Sequence, residues 1–199
     1  MNTIVIETTD QGEVAIDVFQ KLSNDRILFI SGEITDDMAS DICATLLLKD
    51  SEDSDKKITM FINSRGGDIR NALAIYDMMS MIDAPIETVC IGSAMKEAII
   101  LLAAGTPGMR FATKHSVICA GQLINSWMRH SDLTDAQSML AHSLSDNKKM
   151  MDVIAKTTKK SLKEVMADFE RIVFMDSKQA LKYGFIDKIV TFNKQGQTK

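Results

Sequence analysis

Residues 58–105 constrain this chain more than any other stretch: ITMFINSRGGDIRNALAIYDMMSMIDAPIETVCIGSAMKEAIILLAAG. An apolar run at 58–63 meets Ser64-Arg65-Gly66-Gly67, which predicts a strand and then a turn. Ile69, Leu73, Tyr76 and Met79 follow at helical spacing. A second apolar run, 86–91, stops at Gly92, and an apolar helical segment, 94–104, stops at Gly105. Strand–turn–helix twice over predicts stacked right-handed crossover units and an α/β fold. In such folds chemistry gathers where a strand ends and the next helix begins. Those points are 64–68 and 92–97.

The rest of the chain is read against that centre. Its 199 residues suit one domain, and 45% apolar with 25% charged residues suits a globular core. The net charge of −4 and the lack of a long basic cluster argue against a nucleic-acid partner. Cys43, Cys90 and Cys119 lie in apolar runs without metal-ligand spacing, so they read as buried free thiols of a reducing compartment. The start of the chain lacks the pattern of a signal peptide, and no apolar run reaches membrane-spanning length. Together these predict a soluble cytoplasmic protein with no membrane partner, metal or cofactor. Most of the 14 methionines fall at helical apolar spacings and read as core.

In order, residues 3–7 read as a strand or a mobile arm, and Val14, Ile16, Val18 and Phe19 as a short helix or turn. Residues 26–31 read as a strand ending at Gly32. A helix from Asp36 carries Met38, Ile42, Cys43, Leu46 and Leu47 on one stripe. Residues 50–57 read as a charged loop, and 109–113 and 116–120 as strands. Gln122 to His130, with the single Trp127, is polar. Asp132 caps a long helix to about Lys156. Ser161 and Glu164 form a capping-box pattern. Gly184 closes a short helix before a last strand at 185–190, and 193–199 reads as a polar tail. No internal sequence repeat is visible.

The helix entered after Gly92 is apolar nearly all round and is therefore expected to be buried, with Lys96 and Glu97 as its only charges. A lysine at a helix entrance stands against the helix field at a cost of about 0.3–1 kcal/mol. A Ser–Lys dyad is one chemical reading, with Lys96 aimed at Ser93 or Ser64. The plainer reading makes Ser93 a strand-end serine and Ser64 a turn serine. Cys119 falls inside a strand by pattern, which suits core rather than catalysis. His115, His130 and His142 are isolated and read as surface or packing residues.

The succession INSRGGDIRNALAIYDMM, CIGSAMKEAIILLAAGTPGMRF and ALKYGFIDKI resembles the caseinolytic protease proteolytic subunit (ClpP) family. The resemblance runs from about Val14 to Phe192. It implies a ClpP/crotonase-like spiral of αβ units, one domain over 1–192. The head would be about 14–121 and 157–192, and the handle about 122–156. It also implies self-association into heptameric or tetradecameric rings, alone or with an active paralogue, and a possible AAA+ unfoldase partner.

The resemblance places the family's catalytic positions residue by residue. Lys96 stands where the family has its nucleophilic serine, Gly121 where it has the histidine base, and Ile172 where it has the aspartate. None of these can play its part in a Ser–His–Asp mechanism. The oxyanion turn corresponds to Gly66, Gly67 and Glu97. A carboxylate there is expected to repel developing negative charge. Arg65 replaces the family's proline, and a Lys96–Glu97–Arg65 salt bridge is expected to fill the old cavity. Glu170 and Arg171 match the acidic–basic pair that links rings; the plainer reading is a helix-end ion pair. Phe61 keeps one aromatic of the family's unfoldase pocket, and Thr59 replaces another. The resemblance thus points to a ring subunit without peptidase chemistry. The alternatives are an active peptidase using a rearranged Ser–Lys site and, more distantly, an acyl-thioester binder.

Overall fold

A computed structural model describes residues 3–9, 12–121 and 132–190. The chain opens with an antiparallel pair, β1 (Ile4–Thr9) and β2 (Gly12–Asp17), leading into α1 (Val18–Asn24). Val14 and Ile16, expected in a helix or turn, instead lie in β2, where they pair with Glu7 and Val5. The helix begins only where Asp17 accepts the Phe19 N–H as its cap.

The body is a seven-stranded sheet covered by helices. Its first strands are β3 (Ile27–Ile34), β4 (Ile58–Gly67) and β5 (Ile86–Met95), all parallel. The α/β crossover architecture expected from the sequence is the one observed. Ile30 on β3 and Ile58, Met60 and Ile62 on β4 are buried and alternate with partly exposed neighbours, so one face of these strands carries the core and the other is only partly covered.

The strands run further than the sequence suggests. β3 continues through Gly32 by a register shift between Gly32 and Glu33. β4 continues through the Ser64–Gly67 stretch that reads as a turn, and β5 passes Gly92 to Met95. Paired neighbours override the local turn signal, because every buried N–H and C=O needs a partner. Gly92, at φ 87°, is where β5 bends. A Cβ there would come within 2.7 Å of the Asn63 Oδ1, so this crossing needs glycine.

β5 serves two partners. Thr88, Val89 and Cys90 pair with β6 (Arg110–Thr113), and Ser93, Ala94 and Met95 pair with β7 (Val117–Ala120). β8 (Val173–Asp176) joins β7 antiparallel, and β9 (Lys188–Val190) extends the sheet beyond β6. β9 is shorter than the apolar run 185–190 implies, because Phe185 and Ile186 pack into the core instead.

The helices follow their apolar faces. α2 (Asp36–Glu52) buries Ala39, Ile42, Leu46 and Lys49. Leu47 was expected on that stripe but is 49% exposed, one residue round the helix from Leu46. α2 also extends into the expected charged loop. Arg26 donates to the carbonyl of Lys49 in the helix's last turn and to those of Asp53, Lys56 and Lys57 beyond it. α3 (Ile69–Met81) packs on α2. α4 (Ala98–Ala103) is wholly buried, as its composition predicts, but is shorter than the apolar stretch 94–104.

The long helix α5 (Leu133–Thr158) buries Met150, Met151, Val153 and Ile154, while Leu140 and Leu144 near its start are exposed. Asp132 precedes it but makes no side-chain cap bond. α6 (Leu162–Asp168) is capped by Ser161, which accepts the Glu164 N–H. The reciprocal half of the box does not form; the Glu164 carboxylate pairs with Lys160. A complete capping box occurs at Asp176 and Gln179, opening α7 (Ser177–Tyr183), which Gly184 closes. The expected segment Gln122–His130, including Trp127, and the tail 193–199 lie outside the described residues. Among the described residues no helix is long and apolar enough to cross a membrane.

One ion pair ties these layers. The Arg110 guanidinium bonds both Asp187 oxygens, at 2.6 and 2.9 Å, and the carbonyls of Thr157 and Gly184. The same carboxylate accepts the N–H groups of Gly108 and Arg110. Burial pushes the Asp187 carboxyl up, but the guanidinium and the backbone donors outweigh it and hold it below the usual carboxylate range. Its stabilisation is therefore present above an unfolded pKa of about 3.9 and lost as pH falls through the folded value. We expect Asp187→Ala to cost about 2–4 kcal/mol at neutral pH in urea unfolding, since it strands a bonded guanidinium. The deficit should shrink on acidification through that window.

Candidate functional site

The C-terminal ends of β4 and β5 lie side by side, and the turn from β5 into α4 rises next to the glycine stretch of β4. Between them opens a cavity of about 620 Å³ lined by Glu33, Asn63, Arg65, Ser93, Lys96 and Glu97, together with backbone glycines. The two junctions singled out in the sequence, 64–68 and 92–97, thus face one space.

Lys96 sits at the strand-to-helix turn in a left-handed conformation, φ 51°. For a residue with a side chain this costs on the order of 1–2 kcal/mol. Its backbone N–H donates to the Cys119 carbonyl at 2.8 Å, which ties the turn to β7. It therefore precedes α4 and is not part of that helix.

Glu97 is 6% exposed, and its Oε2 accepts the Gly67 N–H at 3.0 Å. Burial pushes this carboxyl up; the Gly67 N–H donor and the Lys96 charge pull it back only partly. The expectation that the carboxylate would only repel charge here is incomplete. The group itself occupies the glycine turn's donor. Gly66, at φ 101°, admits it because a Cβ at that position would collide with the Glu97 Oε2.

The expected Lys96–Glu97–Arg65 salt bridge does not form, and the cavity is open. Glu97 is turned to Gly67, while Arg65 is exposed on the far rim. The serine hydroxyls are engaged elsewhere. Ser64 Oγ donates to the Gly32 carbonyl at 2.6 Å and accepts the Gly66 N–H at 3.1 Å. Ser93 donates both its N–H and its hydroxyl to Asn63 Oδ1, each at 3.2 Å. Neither hydroxyl bonds Lys96. Asn63 and the inward turn of Glu97 were not evident from sequence; the only cue for Asn63 was a polar residue closing an apolar strand.

Gly121 and Ile172 are neighbours. Gly121 is buried, and a Cβ on it would come within 2.9 Å of Ile172 Cγ1 and 3.0 Å of Ile172 Cα. The first contact is with a side chain, but the second is with backbone. Ile172 itself is 49% exposed. Cys119 is buried; burial raises its thiol pKa and the Lys96 charge offsets that only in part, so it remains a thiol within the core. Cys43 is partly buried and Cys90 buried, and both are free.

The remaining candidates lie apart from the cavity. Glu170 and Arg171 are both exposed, and of their two readings the helix-end ion pair does not form. His115 is exposed between β6 and β7. His142 Nε2 is 2.9 Å from Arg70 Nη2 and 3.3 Å from Asp146 Oδ2. His130 lies outside the described residues. Phe61 stacks on Phe29 at 5.2 Å, and Phe29 meets Phe19 edge-on at 5.5 Å. Thr59 bonds Glu87. Among the described residues no group of acidic, histidine or cysteine side chains is placed to hold a metal.

The Clp protease family model matches residues 10–193. The chain is also similar to the ATP-dependent Clp protease proteolytic subunit of Ligilactobacillus salivarius (strain UCC118). The two are 40% identical over 191 residues, 96% of each chain.

Two outcomes follow from the geometry. Because Glu97 has a raised folded pKa, its ionisation in the fold costs stability as pH rises through that value. Glu97→Gln keeps an acceptor for Gly67 and should flatten this part of the pH–stability curve, with a gain over the parent above the folded pKa. Gly121→Ala should destabilise by about 1–3 kcal/mol, since a new methyl must displace Ile172. Thermal unfolding across pH measures the first, and urea unfolding the second.

Proposed function

The chain belongs to the Clp protease family, and from that premise we propose that it is a Clp-type subunit without peptidase chemistry of its own. Its role is structural or regulatory, within a stacked-ring assembly. In this reading Lys96, Gly121 and Ile172 occupy the three triad positions, and Gly66, Gly67 and Glu97 the oxyanion turn. The observation that carries it is the Glu97 carboxyl seated on the Gly67 N–H. An acyl-transfer site needs that donor free for the oxygen that gains charge. Here a buried side chain of the protein already holds it.

Two further observations support the reading. Lys96 replaces a hydroxyl nucleophile at the strand-to-helix turn, and no described histidine approaches it. Gly121 lies so close to Ile172 that an imidazole would not enter without displacing backbone. The alternative of a Ser–Lys site finds no support in the hydrogen bonding, since the Ser64 and Ser93 hydroxyls point to Gly32 and Asn63. The similar Ligilactobacillus protein carries the name of a proteolytic subunit. We assign this chain the assembly side of that description: one domain over 1–192 with a head and a handle, heptameric or tetradecameric rings, and cytoplasmic location. It would ring alone or with a triad-bearing paralogue, with an AAA+ unfoldase as the further partner. The exposed Leu140 and Leu144 on α5 and the Glu170–Arg171 pair suit such contacts.

The test uses the purified chain. It should show no cleavage of a fluorogenic peptide, and neither Ser64 nor Ser93 should be labelled by a fluorophosphonate. Mixed with a triad-bearing subunit, it should elute within one ring of mixed composition. Cleavage that disappears on changing Ser93 or Lys96 would defeat the reading.

A further inference from the structure

We propose that the cavity between Arg65 and Lys96 is a carboxylate-binding site. It would take the C-terminal carboxylate of a peptide or a free small carboxylic acid. This goes beyond the structural role above and does not depend on it.

The cavity, at about 620 Å³, lies in the size range of small-ligand sites. Two cationic side chains reach it from different elements: Arg65 from the end of β4 and Lys96 from the turn after β5. Neither makes an ion pair among the described residues, although Glu33 and Glu97 line the same space. Glu97 does not neutralise them by contact, because it is engaged with Gly67. Asn63 adds a neutral donor: its oxygen is used by Ser93, and its amide N–H groups have no bond to the described residues.

Lys96 strengthens the case. Holding a lysine at φ 51° costs stability, and the Lys96 N–H to Cys119 bond keeps it there. The strained turn sets a cation, half-buried, at the cavity wall. A planar carboxylate would match the Arg65 fork and leave Lys96 as a point charge on the second oxygen.

The planar fork of Arg65, rather than net charge, favours a carboxylate. Arg65 and Lys96 against Glu33 and Glu97 sum to no formal charge in the lining. Doubling a ligand's charge doubles its attraction to the two cations and its repulsion from the two carboxylates alike, so a phosphate dianion gains no advantage from its second charge. The wall already accommodates one carboxylate, that of Glu97.

The experiment titrates the full-length protein with N-acetyl-Ala-Ala carrying either a free carboxylate or a C-terminal amide, with acetate, and with inorganic phosphate. Binding is read by NMR shift perturbation. The free acid should bind saturably and at least tenfold more tightly than the amide, and more weakly as salt rises. Arg65→Gln and Lys96→Asn should each weaken it at least tenfold, and Arg65→Lys should recover part of the loss. Asparagine suits the left-handed position. If Lys96→Asn does not fold, the two Arg65 variants decide. Acetate binding as tightly as the peptide acid identifies a free small carboxylate as the source; tighter binding of the peptide acid identifies a peptide terminus. Three results overturn the site: equal binding of the amide, no saturable binding of either carboxylate, or unchanged affinity in Arg65→Gln. Phosphate binding tenfold tighter than acetate overturns its assignment to carboxylates.

Discussion

β5 hydrogen-bonds to β4 on one side and, on the other, to two strands in succession: β6 along its first half and β7 along its second. Changing partner midway requires a bend, and Gly92 supplies it where Asn63 crosses close by. The bend carries the end of β5 away from β6 and leaves Lys96 and Glu97 above the glycine stretch of β4.

Glu97 connects this geometry to electrostatics. A buried carboxyl needs a donor, and the Gly67 N–H provides it. Its burial follows from α4, which is apolar throughout and pulled wholly into the core. The residue that enters such a helix is drawn inward with it. Arg65 sits on an exposed strand residue and stays at the rim. The three charged side chains expected to bridge, Lys96, Glu97 and Arg65, form no salt bridge, since Glu97 is buried on Gly67 and Arg65 is exposed.

Much of the fold is legible from periodicity. Met79 on α3, the run from Ile58 to Ile62, and the apolar α4 announce their burial, whereas Ile69, Leu73 and Tyr76 of the expected α3 stripe are only partly buried and Ala72 and Ile75 beside them are buried. The ends of elements are less legible. Ser64–Gly67 and Gly92 carry local turn signals, yet both lie inside strands, since a paired neighbour satisfies their backbone. At the site, the residue types at 96, 97, 121 and 172 are visible in the sequence, but their relations are not. The contact of Gly121 with Ile172 joins positions 51 residues apart (172 − 121) across the β7–β8 pair. The Gly67–Glu97 bond spans 30 residues.

Residue order alone carries the kind of chain this is: its α/β crossover pattern, its family, and the unusual side chains at its strand ends. Those are properties of residue identity and local spacing. Which way those side chains face came from packing. Glu97 turns in to Gly67 and Arg65 lines the exposed mouth, so the space between them remains open. The physical reason is that side-chain direction at a strand end depends on how neighbouring strands divide and how deeply the next helix is buried. Both are set by contacts between residues distant in the chain.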